Sequence, residues 1–254
     1  MDKALFSYAL RMGDSTLVLA QRLGEWTGHG PALEEELACA NTALDLLGQA
    51  RMWLTLAGET EGQGRDEDRL AYHRDVHEYT NYLLVERENG HYGDTLARQF
   101  LFDAWHCFLL EQLVESSDEQ IREIAQKAHK EVLYHLRRST DLIVRLGDGT
   151  PESHKRMQQA IDDAWFYLGE LFLDDEITEE LAQRQAVPLM ASLWQPCLEY
   201  IQNALERATL CCPAEQDAQH KAYRGGPQGR HTEALGYLLA EMQHLPRMYP
   251  DATW

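Results

Sequence analysis

The sequence has few prolines and few basic residues relative to acidic ones. Only eight prolines occur among 254 residues, and Asp plus Glu outnumber Lys plus Arg by 42 to 23, which gives a formal net charge of −19. Few prolines leave room for long helices. Binding to nucleic acid or to anionic membranes needs a basic face, and this composition argues against one. We therefore expect a helical protein whose partners are neither nucleic acids nor membranes.

Long apolar segments and paired cysteines are also missing. No apolar run approaches the ~18 residues of a membrane-spanning helix. The start, MDKALFSYALRMGD, lacks the apolar core and cleavage site of a signal peptide. The five cysteines form no Cys-x-x-Cys pair and are typical of small apolar residues in a reducing compartment. These features predict a cytoplasmic protein.

Apolar residues that recur every three or four positions predict a chain built from long helices. The predicted core helices lie at about 4–26, 31–57, 95–116 and 118–146, and additional helices lie at about 151–172, 189–210 and 232–248. A shorter helix is expected at about 70–86. Short connections make each pair of core helices an antiparallel hairpin. The sequence thus predicts an all-α protein, a ferritin-like four-helix bundle with additional C-terminal helices, spanning 1–254 as a single domain.

The second core helix is expected to turn one apolar face toward the core. That face comprises Leu33, Leu37, Ala40, Leu44, Leu47 and Leu54. Asp45 lies beside it, within an apolar run. A carboxylate in that position is expected to be at least half buried and to need a partner.

The fourth and third core helices carry the residues most suggestive of metal chemistry. The fourth has a stripe formed by Ile121, Ala125, Ala128, Val132, Leu136, Ser139, Ile143 and Leu146. His135 lies on this stripe and Glu131 at its flank. The third helix directs Asp103 and His106 toward the core as Asp-x-x-His. In a ferritin-like bundle, a di-iron centre takes a carboxylate from each of two helices and a Glu-x-x-His from each of the others.

The di-iron ligand set is incomplete in this sequence. On the second helix, Asp45 and Gly48 stand where glutamate and histidine belong, so the imidazole is missing. On the fourth helix, Val132 and His135 stand there, so the carboxylate is missing. The first helix offers no inward carboxylate at mid-length, since Val18 and Gln21 occupy the likely positions and Asp14 and Glu25 lie near its ends. Two iron ions need roughly four carboxylates, so we expect no metal and no cofactor in this chain.

The same residues allow three interpretations of the chain, of which a metal-free polar core is the first. A buried histidine is more often a core residue with satisfied hydrogen bonds than a metal ligand, which we expect for His106 and His135. The polar core cluster would then comprise Asp45, Asp103, His106, Glu131 and His135, with the carboxylates neutralised by histidine or by Arg22, Arg51 or Arg98. Alternatively, the protein is an independent ferritin-like metalloenzyme with an atypical site of Asp45, Asp103 and His135. A helical binding protein without oxygenase chemistry is the third class.

Four segments resemble a known family. They are RLGEWTGHGPALEEELACANTALDLLGQAR (22–51), LLVERENGHYGDTLARQFLFDAWH (83–106), KEVLYHLRRSTDLIVRLGDGT (130–150) and HTEALGYLLAEMQHLPRMYP (231–250). They are similar to the PaaC family, the structural C subunits of bacterial multicomponent phenylacetyl-CoA 1,2-epoxidases. The similarity extends over almost the whole chain, and the GEW-x-GH-x-P-x-LE and LDLLGQAR motifs are specific.

The resemblance implies a non-catalytic subunit in aerobic phenylacetate catabolism. Such a subunit pairs with and stabilises a homologous catalytic A subunit, which holds the di-iron centre and epoxidises the ring of phenylacetyl-CoA. Further subunits and a reductase complete the complex. In that family the A subunit has Glu-x-x-His at the positions of Asp45-x-x-Gly48 and Val132-x-x-His135.

The segment 213–230, PAEQDAQHKAYRGGPQGR, has the one local basic bias in the acidic chain. It is either a plain surface loop or a contact for an anionic group. Lys221, Arg224 and Arg230 would then face an acidic partner surface or a CoA phosphate.

Overall fold

A computed structural model describes residues 1–218, 223–250 and 252 of the chain. All regular structure within these ranges is helical, and no strand occurs in them, which confirms the all-α prediction. None of the helices in these ranges combines the length and the apolar character needed to cross a bilayer. The chain divides into two compact units, a first unit of Met1–Glu88 with Gly225–Trp254 and a second unit of Asn89–Arg224. A single domain over 1–254 stays a prediction.

The helices in chain order are α1 (Lys3–Gly24), α2 (Leu33–Glu61), α3 (Glu67–Tyr72), α4 (Leu83–Glu86), α5 (Tyr92–Leu113), α6 (Glu119–Gly147), α7 (Pro151–Leu168), α8 (Glu176–Gln183), α9 (Trp194–Arg207), α10 (Glu215–Ala218), α11 (Glu233–Met242) and α12 (His244–Met248). Short 3₁₀ turns lie at Val76–Glu78, Gly169–Phe172, Met190–Leu193 and Gly226–Gln228. Two pairs of long helices followed by additional C-terminal helices agree with the predicted ferritin-like class.

The first unit is built on the pair α1 and α2, which pack along each other. The Asp2 side chain caps α1 by accepting a hydrogen bond from the Leu5 amide at 3.1 Å. From Tyr8 to Ala20, α1 is buried on every side. The second helix extends four residues beyond its predicted end and stops at Gly62, whose φ of 69° is in the left-handed region.

The predicted inward face of α2 is wrong at three of its six positions, whereas Leu54 is 2% exposed, as expected. Leu33, Leu37 and Leu44 are 67%, 55% and 65% exposed, whereas Leu46 and Trp53 are fully buried. Apolar residues occur on two sides of this helix, and periodicity alone does not say which side packs against α1. The side with the larger and more continuous set, reaching Trp53, is the buried one.

The predicted helix at 70–86 is also wrong. The chain instead forms α3, the 3₁₀ turn Val76–Glu78 and α4. The break follows from Arg74, whose Nε donates to the Leu70 carbonyl at 2.6 Å and whose guanidinium also binds Asp14. Asp75 and Glu78 then cap the 3₁₀ turn reciprocally. Contacts distant in sequence therefore override the local helical pattern.

The second unit is built on the pair α5 and α6, with α7 packed against both. A capping box of His91 and Asp94 begins α5, and Asp118 caps α6 by accepting from the Ile121 amide at 3.0 Å. The buried residues of α6 include its predicted stripe from Ile121 to Ile143. Sequence periodicity did not predict α8, and the additional helices at 151–172 and 189–210 each contain a 3₁₀ turn at one end.

Candidate functional site

Asp103, near the middle of α5, is the most deeply buried carboxylate of the second unit, at 1% exposure. Its Oδ1 accepts a hydrogen bond from Gln99 Nε2 at 2.6 Å, and its Oδ2 accepts one from Ser139 Oγ at 2.8 Å. Burial raises the pKa of Asp103 to about 6, although the nearby His135 and the two hydrogen bonds partly oppose this shift. Both carboxylate oxygens are thus held by neutral protein donors.

His106 lies one turn along α5 and is completely buried. Its ring packs against Phe102 and Trp105, with centroid distances of 5.1 and 5.9 Å. Neither ring nitrogen has a hydrogen-bond partner among the residues that the structure describes. Burial, together with the smaller effects of the neighbouring His135 and His129, lowers the pKa of His106 to about 3. The residue is a neutral core imidazole, as expected, but it lacks the satisfied hydrogen bonds that we expected of it.

On α6, Val132 and His135 lie on the buried face and Glu131 lies at its flank, as the sequence predicted. Val132 and His135 are buried, and Glu131 is half-buried at the flank. Electrostatic interaction with His135 lowers the pKa values of both Asp103 and His106. An apolar Val132 occupies the place where a Glu-x-x-His motif would supply its carboxylate.

The two predicted di-iron positions on α2, Asp45 and Gly48, differ in their exposure to solvent. Asp45 is half-buried, as expected, while Gly48 is exposed on the outer side of the helix. Both belong to the first unit, whereas Asp103 and His135 belong to the second. Within residues 1–218, 223–250 and 252, no group of three or more His, Cys, Asp or Glu side chains is arranged to hold a metal ion.

The arginines predicted to neutralise the core carboxylates contact other groups. Arg22 donates to the Glu86 carbonyl at 2.9 Å, Arg51 pairs with Glu67 at 2.9 Å, and Arg98 donates to Asn89 at 2.7 Å. In the second unit, neutral amide and hydroxyl donors bind the Asp103 carboxylate directly.

Sequence reasoning missed a buried ion pair in the first unit. Asp14 is fully buried and pairs with Arg74, which is itself 3% exposed. The Thr80 amide and hydroxyl also donate to Asp14 Oδ2, at 2.8 and 3.1 Å. The apolar stripe of α1 does not indicate that Asp14 is buried, because this part of the helix is buried on every side and not only along the stripe.

A second missed cluster ties the C-terminal segment to α4. Glu86 Oε2 lies 3.2 Å from His231 Nδ1, and Glu86 Oε1 accepts a hydrogen bond from the Thr232 amide at 2.9 Å. His231 Nε2 donates to the Tyr79 carbonyl at 2.8 Å. Burial opposes protonation of His231, but its contacts with Glu86 and the Tyr79 carbonyl outweigh burial and raise its pKa above the ordinary value.

The segment 213–230 is less irregular than predicted, since α10 and the 3₁₀ turn Gly226–Gln228 lie in it. Lys221 lies outside the described residues. Arg224 is half-buried and Arg230 exposed. A role in binding an anionic group stays a prediction.

Comparison with known proteins gives a consistent result. The family model described as "Phenylacetic acid catabolic protein" matches residues 1–254. The chain is 49% identical over 251 residues to a protein of Escherichia coli strain K12 that is named as the C subunit of 1,2-phenylacetyl-CoA epoxidase, a match that covers 98% of this chain and 99% of that protein. The resemblance predicted from the sequence motifs is thereby confirmed, and the chain belongs to the phenylacetic acid catabolic protein family.

Proposed function

We propose that this chain is a non-catalytic structural subunit of a multicomponent di-iron oxygenase that epoxidises phenylacetyl-CoA. It pairs with and stabilises a homologous catalytic subunit. The observation that carries the proposal is the state of Asp103, because each of its two carboxylate oxygens accepts a hydrogen bond from a neutral protein donor, Gln99 or Ser139.

The donor set on α5 and α6 does not fit a di-iron centre. Two iron ions need roughly four carboxylates for charge balance. The described part of these helices offers the buried side chains of Asp103, His106 and His135, while Val132 is apolar and Glu131 only half-buried. This mismatch supports assigning the iron and the oxygen chemistry to the partner, so we derive no catalytic step on this chain.

The function that remains for this chain is structural. Buried ionic and hydrogen-bonded contacts, such as that of Asp14 with Arg74, hold the segment after the short helix α3 against the long helix α1. An obligate interface between two subunits buries about 2,000 Å² or more. Long helices with exposed apolar side chains can supply such a surface. Supporting a catalytic partner requires a stable fold and a matching face, and no reactive group of its own.

The proposal is tested by measuring oxygen consumption with phenylacetyl-CoA and a reductase. This chain alone should consume no oxygen above background, the catalytic subunit alone should be unstable or weakly active, and the mixture should be fully active. A matched variant, His135→Gln, removes the best candidate ligand of this chain and should leave turnover by the folded mixture unchanged. Turnover by the isolated chain, or its loss in a folded His135→Gln mixture, would contradict the proposal.

A further inference from the structure

The outer side of α2 carries an exposed stripe of residues at helical spacing. We name it the α2 outer stripe, and it consists of Leu33, Leu37, Leu44 and Gly48. Each of its three leucines is more than half exposed. At a rise of 1.5 Å per residue, the stripe extends over about 22 Å. Single exposed leucines are ordinary on protein surfaces, but aligned ones along four turns of one helix are typical of an interaction site.

Gly48 provides a second and independent observation. Glycine in the middle of a helix is less favourable than alanine, because it loses more backbone freedom on folding. A Cβ atom added at Gly48 would meet no atom of the described chain within 4 Å. The fold of this chain therefore gives no reason for a glycine at this position. A glycine in the middle of a helix leaves the backbone open to close approach by another molecule.

The charges beside the stripe indicate what kind of partner covers it. Glu34, Glu35 and Glu36 form the acidic first turn of α2. The whole chain carries a net charge of −19, so a second copy would bring two strongly acidic proteins together. A helix of different sequence, apolar along one side and basic beside it, is complementary both in shape and in charge.

We propose that the α2 outer stripe is the surface on which the homologous catalytic subunit packs one of its own helices. The inference rests on the function proposed above and names the face that it uses. The leucines lie in the groove of the partner helix, its backbone passes close to Gly48, and its basic side chains lie beside the acidic first turn of α2. Packing of this kind follows the ridge-and-groove geometry of helix pairs.

Two variants test the stripe by opposite changes. Leu37→Ser with Leu44→Ser removes apolar contact, and Gly48→Leu adds bulk at the point of closest approach. Binding of the purified catalytic subunit, measured by calorimetry or by light scattering after gel filtration, should weaken about 10- to 100-fold for each leucine lost. Gly48→Leu should abolish the complex, while the thermal stability of the isolated variant stays the same or rises.

Matched controls are available in the same chain. Leu189→Ser removes a leucine that is also exposed, and Gly24→Leu adds bulk at an exposed helical glycine with open space around it. Both controls should bind the catalytic subunit like the wild type. Wild-type binding should also weaken as salt is raised, and Glu34→Lys should reduce that salt dependence.

The outcomes separate this inference from the proposed function. If the wild type binds the catalytic subunit and the stripe variants bind equally well, the surface assignment is overturned while the proposed function stands. If the wild type does not bind the catalytic subunit, both are overturned. Self-association of the isolated chain that the stripe variants abolish would identify a second copy as the occupant and would also overturn the assignment.

Discussion

Replacement of Asp103 by asparagine tests whether the buried carboxylate is held by the protein or reserved for a metal. The change preserves shape and keeps one acceptor for Gln99 or Ser139, but it removes the ability to ionise. The hydroxyl of Ser139 also lies 3.3 Å from the Leu136 carbonyl, which gives that donor an alternative acceptor. The variant should therefore fold.

The expected effect on stability depends on pH. Burial raises the pKa of Asp103 from 3.8 to about 6, so the folded chain binds the proton more tightly than the unfolded chain. Between these two values the folded chain holds more protons, and the free energy of unfolding falls as pH rises. A difference of about two pKa units corresponds to about 3 kcal/mol. Between pH 4 and pH 7, the ionisation of Asp103 should lower the free energy of unfolding of the wild type by about 3 kcal/mol. The asparagine variant should show no such decrease.

The assay is chemical denaturation of both proteins across this pH range. Subtracting the two free energies removes contributions that do not involve Asp103, and leaves the contribution of Asp103 together with that of its interaction with His135. The difference should shift by about 3 kcal/mol in favour of Asp103→Asn as pH rises. A shift of the opposite sign, together with a lower melting temperature of the wild type in EDTA, would show that a cation holds this carboxylate.

Three further predictions concern other parts of the chain. Asp14→Ala leaves the Arg74 guanidinium buried without its partner, so it should lower the free energy of unfolding by about 3–5 kcal/mol in urea denaturation. The double variant Asp14→Leu with Arg74→Met should recover most of this loss. A loss below about 1 kcal/mol in Asp14→Ala would contradict the burial of this pair. His231 has a raised pKa, so its contribution is fully present below its unfolded pKa of about 6.5 and is lost as pH rises through the folded value. His231→Gln should flatten the decline of melting temperature above that pH, and an unchanged decline would refute the assignment. Lys221, Arg224 and Arg230 of segment 213–230 should be replaced together by serine. This triple variant should assemble more weakly or have a higher apparent KM, in a salt-sensitive way. Wild-type assembly and turnover of the variant at low salt would identify the segment as a plain surface loop.

The helices that the sequence predicted best are those with strong local signals at both ends. For α6, the predicted range of about 118–146 lies within one residue of the observed Glu119–Gly147 at each end, and Asp118 caps the start of the helix. The helix α5 begins at Tyr92, three residues before its predicted start at about residue 95, because the His91 side chain acts as the cap and Asp94 closes the box. Histidine is not among the common caps, so composition gave no indication of it.

What the sequence failed to predict depends on contacts between distant residues. The partners Asp14 and Arg74 are 60 positions apart, and this contact both buries an acid and breaks a helix. On α2, two apolar sides competed, and only packing against α1 shows that Leu44 faces outward while Leu46 faces inward. The candidate site was predicted well where one helix supplied it, as for Val132 and His135 on α6, and poorly where two segments had to meet.

The iron content of the separated subunits tests the central claim most directly. The complex of this chain with the catalytic subunit should be purified from iron-rich medium, the two subunits separated under mild conditions, and the metal in each measured by elemental analysis. We expect near-zero iron in this chain and about two iron ions in its partner, as a di-iron centre requires. Stoichiometric iron retained by this chain, with oxygen consumption that follows it, would contradict the account.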